Sequence, residues 1–269
     1  MRAYQKEDLP YLQFEQLPNS TQLWHAVFTR QGGVSPAPYA SLNLSVSVAD
    51  EKACVYANRH RAYGLFGRDT DTVVHAHLVH GADVARVTTA NNGTWLPRVD
   101  GIISDEPGCA LTMNYADCTP ILIYDPRRQA IGLGHAGWMG TVRDLPGALV
   151  RAMQRAFGSD PADMLAAIGP CIGPCCYEVG EQVISAVLGR FRESDTLLLD
   201  PDSGKPWADD GRRPHLDLPE ANRRNLERAG VKQIELANLC TACRTDLFFS
   251  HRAEDGQTGR FGAILILGN

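Results

Sequence analysis

Two histidines and one cysteine stand where a chain tends to expose functional groups. His80 ends an apolar run and precedes Gly81. Cys118 lies in Asn114-Tyr-Ala-Asp117-Cys118-Thr-Pro120, between two apolar runs. His135 sits in the glycine-flanked segment Gly132-Leu-Gly134-His135-Ala-Gly137-Trp138. Strand ends and loops are where scaffolds carry chemistry. Two imidazoles and a thiolate make three protein ligands, a count that leaves tetrahedral zinc an open position for water or substrate. Zinc in such a site lowers the pKa of its bound water toward neutrality. The spacings of 38 and 17 residues mean that only the fold can bring the three together. The same donors suit a blue-copper centre with a weak axial Met. Without a metal, Cys118 and His135 would form a thiolate–imidazolium pair, with Asp117 or Asn114 as orienter.

Other motifs read more plainly. His75 and His77 share one face of a strand and His80 falls on the opposite parity, so either the His75–His77 pair supplies two metal ligands, or His80 alone serves at the strand's end and the first two are half-buried strand residues. Glycines and a helix start after His135 offer free amides to an anion, but the segment is neither a Walker loop nor a GxGxxG fingerprint. Cys240-Thr-Ala-Cys243 would need a second pair to make a zinc ribbon, and Cys171-Ile-Gly-Pro-Cys175-Cys176 is irregularly spaced, so these cysteines are read as structural thiols. Asn222-Arg223-Arg224-Asn225, flanked by Glu220 and Glu227, reads as a solvated helix face. Ser250-His251-Arg252 could bring Arg252 to an anion or form a surface turn.

The elements that must position these residues are mixed. Strands are expected at Leu23–Thr29, Thr72–Val79, Val84–Thr88, Ala110–Met113, Ile121–Tyr124, Ala130–His135, Gln233–Ala237 and Gly262–Leu267. Helices are expected at Glu51–Phe66, Thr141–Phe157, Glu181–Phe191 and Pro219–Ala229, with Thr141 as a cap and Gly158 and Gly230 as C-terminal stops. Strands outnumber helices and several are joined by short turns, which favours an α+β fold with mixed sheets over strict βαβ alternation. No repeat or linker divides the chain, so residues 1–269 are expected to form one domain, with Asp200–Pro214 its most exposed excursion.

Composition narrows the class further. The chain has 269 residues, 44% of them apolar, enough to build a core without disulfides. A net charge of −5 argues against a nucleic-acid backbone binder. No apolar run is long enough to span a bilayer, and Met1–Leu12 does not read as an export signal. A cytoplasmic, reducing setting is therefore expected for the eight cysteines, and no nucleic-acid or membrane partner. The eight histidines are too few for a full multicopper oxidase, whose additional copper cluster takes about that many by itself.

An ordered series of blocks then stands out from Leu23 to Leu267: Phe28-Thr-Arg30-Gln-Gly-Gly-Val-Ser35, Ser41-Leu-Asn43-Leu44, Val79-His80-Gly81, Asp100-Gly-Ile-Ile, Ala116-Asp117-Cys118-Thr-Pro120 and His135-Ala-Gly-Trp138. Ile168-Gly-Pro170, Tyr177-Glu178-Val-Gly180, Leu216-Asp217-Leu218, Cys240-Thr241 and Phe248-Phe249-Ser250 follow. In these the chain resembles the YfiH family, also called the polyphenol-oxidase laccase-domain family. The resemblance implies an α/β sandwich with mixed sheets, distantly similar to bacterial toxin deamidases, and one zinc on His80, Cys118 and His135. It implies phosphorolysis of adenosine, inosine or guanosine and hydrolytic deamination of adenosine. The alternatives are an editing hydrolase for a peptidoglycan precursor, a copper-dependent polyphenol oxidase, and an interaction protein with a structural zinc. Asp117 is expected to move a proton or orient a ligand, and Asn43, Arg30 and Arg59 to contact substrate or phosphate. The chain departs from the family pattern at Leu78, Met139 and Ala253, where Gln, Arg and Arg are usual. It is expected to act as a monomer on a small-molecule substrate.

Overall fold

The computed structural model describes residues 1–192, 196–209 and 211–268. Two sheets form the centre. The first is antiparallel, in the order Arg2–Lys6, Leu9–Gln13, Leu23–Phe28, Phe261–Leu267, Ala110–Tyr115. The second runs Gln233–Leu236, Leu165–Ile168, Thr119–Asp125, Ala130–Ala136, Gly101–Ser104, Val84–Arg86. Its middle pairs are antiparallel and its two outer pairs parallel, which makes it mixed.

Period-2 alternation assigns the layers. Ala263, Leu265 and Leu267 meet Leu122, Tyr124, Ile131 and Leu133 in the core between the sheets. The intervening Ile264 and Ile266 point the other way, against Leu42, Leu44 and the helix Lys52–Gly64 with its Ala62 and Tyr63. On the far side Ile121, Ile123, Ala166 and Ile168 pack under the helix Leu145–Phe157 and Leu226 of the helix Leu218–Arg228. Both faces of each central strand are therefore covered, so Thr119–Asp125, Ala130–Ala136 and Phe261–Leu267 are buried along their whole length. The result is the α+β sandwich with mixed sheets that the sequence predicts.

Differences from the expected elements have local causes. The helix expected from Thr141 to Phe157 is two: Trp138–Val142 and Leu145–Phe157. Pro146 has no amide hydrogen to donate back along a helix and belongs in a first turn. Asp144 breaks the chain before it with a left-handed φ of 65°. Thr141 thus lies inside the short helix, whose N-cap is Gly137. Gly158 takes a positive φ at the C-cap of Leu145–Phe157, as expected. The run Thr72–Val79 keeps only His75–Ala76 as strand, after a 3-10 turn at Thr70–Thr72. The hairpin Arg2–Lys6/Leu9–Gln13 was not predicted, because Arg2–Lys6 is exposed on both faces and carries no alternation.

Asn222 and Asn225 correct the reading of a solvated helix face. Both are buried. Asn222 Nδ2 donates to Thr119 Oγ1 at 3.2 Å, and Asn225 Nδ2 to the Thr141 carbonyl at 2.8 Å, joining the helix to the sheet and to Trp138–Val142. Arg223 does face outward, paired with Glu220 and Glu227.

Candidate functional site

The three donors converge at one end of the sandwich. Ala110–Tyr115 belongs to the first sheet and Thr119–Asp125 to the second. The crossing between them is Ala116–Cys118, with Asp117 at φ 80° to make the turn. Ala136 pairs with Thr119 and His135 with Pro120, so the next residues on the two strands, Gly137 and Cys118, are brought together. A Cβ at Gly137 would stand 2.8 Å from Cys118 Sγ and 3.3 Å from His80 Cδ2. That position must be glycine for the thiol and imidazole to close in. The ligand atoms of His80, Cys118 and His135 lie within 4.8 Å of one another.

Asp100 builds the rest of the arrangement. It is buried just before the strand Gly101–Ser104. One oxygen accepts the His80 amide at 3.0 Å and faces His135 Nδ1 at 3.1 Å. The other accepts the amides of Gly81 at 2.7 Å and Val79 at 3.1 Å. One carboxylate therefore fixes the loop that carries His80, whose φ is 58°, and the ring of His135. With Nδ1 engaged, His135 keeps Nε2 for the cluster, the carboxylate–histidine arrangement that supports metal ligands. Burial would raise Asp100, but His135 and the backbone amides outweigh it and hold the carboxyl below its ordinary range. Asp100, and neither Asp117 nor Asn114, is the orienter of His135.

Electrostatics favour a charged pair. Burial pushes the Cys118 thiol up, but the charge and hydrogen bond of His135, helped by His80, bring it down to about 6. Burial pushes His135 down, but Cys118 and Asp100 raise it to about 9. An anionic sulfur beside two imidazoles, one of them held by a carboxylate, is a donor set that fits a divalent metal. Among the described residues only one other group of at least three His, Cys, Asp or Glu is close enough to share an ion, and it is all cysteine. Of the remaining histidines, His75, His77 and His251 line the cavity beside the cluster and the others are dispersed. His25 accepts the Phe14 amide, His60 meets Asp69, and His215 meets the Pro174 carbonyl. His75 stacks on Trp95 at 4.5 Å with His77 against the same ring, but they are not the half-buried strand pair expected: His75 is buried in the strand, and His77 is exposed just beyond its end.

The cluster opens into a cavity of about 570 Å³, the size of small-molecule sites. Trp95, Trp138, Tyr177, Arg252 and Arg260 are on its walls, and so are Leu78 and Met139, which depart from the family pattern. Asp117 is at the wall, yet both its oxygens are engaged, by Thr241 Oγ1 at 2.6 Å and the Arg252 amide at 2.7 Å. Arg59 lies outside the cavity lining, buried behind Trp95 and 5.1 Å from its ring, and donates Nε to the Leu44 carbonyl. Its two Nη atoms are buried without a hydrogen-bond partner, and so is Nε2 of His75.

Arg30 and Asn43 lie outside the cavity lining. Arg30 clamps loops, donating to the carbonyls of Ala40 and Thr245 and pairing with Glu254 at 2.9 Å. Asn43 has 0% exposure; it donates to Asp50 and Ser45 and accepts from the amides of Ser45 and Arg260. Their hydrogen-bonding capacity is used in holding the loops around the helix Lys52–Gly64.

Residues 24–268 match the family described as multi-copper polyphenol oxidoreductase laccase. The chain belongs to this family. Within it, the chain is similar to purine nucleoside phosphorylase YlmD of Geobacillus stearothermophilus, 38% identical over 247 residues, 88% of this chain and 87% of that protein. Purine nucleoside phosphorylase SCO2081 of Streptomyces coelicolor is 37% identical over 90% of this chain and 95% of its own length. The crystal structure of YlmD from Geobacillus stearothermophilus matches with a TM-score of 0.87 at 35% identity, covering 99% of this chain and 98% of that one. That of YfiH from Bacillus licheniformis also gives 0.87, at 33% identity, covering 97% and 96%. The family expected from the ordered blocks is thus the family found. Asp100 was in one of those blocks, but three of its partners are backbone amides some twenty residues earlier and the fourth is His135, 35 residues later, and nothing in the spacing announces them.

Proposed function

We propose that this chain is a zinc-dependent purine nucleoside phosphorylase that also deaminates adenosine. The observation that carries the reading is the His80–Cys118–His135 cluster, three donors braced by Asp100 and open to a cavity of about 570 Å³. The names of the relatives supply the substrate class. His80, Cys118 and His135 would hold the zinc, which when bound supplies a Lewis acid and a polarised water.

The chain's own residues supply binding and orientation. Tyr177 and Trp138 offer flat apolar faces for a purine. Arg260 on the wall and Arg59, whose two unpartnered nitrogens are buried behind Trp95 and would reach a phosphate once that ring moves, are the cations for a phosphate. In phosphorolysis a phosphate oxygen bonds to ribose C1′ as the C1′–N9 bond breaks, and the purine leaves with a proton on its ring nitrogen. Arg59 and Arg260 would hold the phosphate while the aromatic walls hold the base. In deamination a water oxygen adds at C6 and ammonia departs. Asp117 orients: its carboxylate ties the Cys118 turn to Thr241 and Arg252 at the cavity wall. Eight free thiols fit the reducing, cytoplasmic setting expected from the sequence.

The test combines metal analysis with product chromatography. Protein purified without added metal is analysed for zinc and copper and given adenosine with and without phosphate. Adenine with phosphate, inosine without it, and neither from Cys118→Ala would support the reading; zinc with no purine product would sink it. One observation favours a second reading, an amide hydrolase acting on a peptidoglycan precursor. Cys118, His135 and Asp100 form a thiolate–imidazole–carboxylate series that could act without metal. Turnover of an amide by metal-stripped protein would select it.

A further inference from the structure

The second cluster lies outside the cavity and is all sulfur. Cys175, Cys176, Cys240 and Cys243 place their Sγ atoms within 4.8 Å of one another. Cys243 is 3.4 Å from both Cys175 and Cys176. Four sulfurs at the zinc–thiolate distance of about 2.3 Å from one centre would stand about 3.8 Å apart. The observed crowding matches a single ion; the thiolates of an iron–sulfur cluster sit on separate irons and are spread wider. Two turns deliver the donors. The first closes through the amides of Cys176 and Tyr177 on the Gly173 carbonyl, which lets adjacent Cys175 and Cys176 face one centre. The second closes through the Arg244 amide on the Cys240 carbonyl, bringing Cys243 beneath Cys240. The Gly173 amide donates to Cys240 Sγ at 3.2 Å, an N–H···S contact that favours a thiolate. A Cβ on Gly173 would come within 3.3 Å of Cys240 Cβ and 3.5 Å of Cys175 Sγ, so glycine keeps the cluster clear.

We propose that Cys175, Cys176, Cys240 and Cys243 bind a structural zinc ion that fastens the Cys171–Glu178 loop to the Cys240–Arg252 loop. Four protein thiolates close the tetrahedron and leave no position for substrate. Binding displaces the thiol protons to solvent as sulfur–zinc bonds form. Cys171 is not a ligand; it is buried and joins the two loops through a backbone bridge to Cys240. The fastened loops also carry groups of the cavity wall: Thr241 and Arg252 hold Asp117, and Arg252 lies 5.3 Å over the Tyr177 ring. The second ion thus fixes one wall of the first site without entering it. This inference stands on the thiol geometry and does not depend on the proposed reaction.

The test counts zinc after exhaustive dialysis. About two ions per chain are expected in the wild type, one in Cys118→Ala, one in Cys243→Ser, and none in the double variant. Cobalt(II) added to Cys118→Ala should give intense sulfur-to-metal charge-transfer absorption, lost in the double variant. Retention of the second ion in Cys243→Ser, or no metal in Cys118→Ala, overturns the proposal. Should Cys243→Ser fail to fold, alkylation of the wild type decides. Zinc should protect four thiols beyond Cys118, and a chelator should expose them. Equal reactivity with and without zinc, or a disulfide from Cys243 to Cys175 or Cys176, overturns it.

Discussion

Cys118 stands on a crossing between two sheets and His135 on a central strand, where paired backbone fixes each Cα, and His80 stands on a loop pinned by the Asp100 carboxylate. Cys175, Cys176, Cys240 and Cys243 stand on two turns at the surface, joined apart from their own sulfurs by the short bridge of Cys171 to Cys240, the Gly173 amide and the Arg252 side chain. The first group has three donors of two kinds, a carboxylate bracing one of them, and an open cavity beside it. The second has four donors of one kind and no carboxylate among its ligands. A rigid support with a free coordination position suits chemistry. A loose support with a filled coordination sphere suits stapling. The fold organises the first site whether or not metal is bound, whereas metal would organise the second. Chemistry and stability should therefore respond oppositely to loss of each.

The largest effect tests the first half of that contrast. Cys118→Ala should lower kcat/KM for nucleoside phosphorolysis by about 10³-fold or more. Its melting temperature should stay close to wild type, because the strands on either side are paired along their lengths. A variant that unfolds instead would show that the first cluster is the structural one. Next comes Asp100→Asn. The carboxylate accepts three amides and faces the His135 ring. An asparagine has one acceptor oxygen and must turn an NH₂ toward groups that already donate. Zinc affinity, read by competition with a chromophoric chelator, should fall about 10- to 100-fold, and activity with it. Unchanged affinity would mean that Asp100 only shapes the loop.

A smaller effect is expected at Arg59. Both its Nη atoms are buried and unpartnered behind Trp95, outside the cavity lining, and the proposed reading has them reach a bound phosphate once that ring moves. Arg59→Lys keeps the charge but loses the fork. The KM for phosphate should rise about tenfold, while phosphate-independent deamination of adenosine holds. Equal losses in both reactions would assign Arg59 to packing against Trp95.

The same contrast governs what could be read from the chain. Cys118 and His135 were legible because glycine, proline and apolar runs mark strand ends, and strand ends set position. The central strands were legible for the same reason, being uninterrupted apolar runs buried on both faces. Arg30 and Asn43 were not, since a polar residue in a loop looks alike whether it meets a ligand or the protein; both meet backbone and one carboxylate each, Glu254 and Asp50. Asp100 was hidden because three of its partners are amides, which have no residue type, and the fourth, His135, lies 35 residues away. The sulfur cluster was hidden because Cys175-Cys176 is no ligand pair by spacing. It becomes one only when the chain turns at Gly173 and a bridge from Cys171 to Cys240 aligns the loops.

The smallest effect on turnover, and the sharpest test of the comparison, belongs to Cys243→Ser. Cys243 is exposed and touches no group of the cavity, so a purely local change would be silent. If the four sulfurs hold an ion, losing one frees the turn that carries Thr241, and Asp117 loses the firm position of its 2.6 Å partner. Arg252 and Tyr177 then wander at the wall while His80, Cys118 and His135 keep their places. The KM for nucleoside should rise a few-fold, about threefold to tenfold, with kcat nearly unchanged. The melting temperature should fall by about 5 °C or more, and added chelator should bring the wild type down to meet it. A fall in kcat with KM unchanged would break the division of labour, for it would make the loops part of the chemistry and not of its wall.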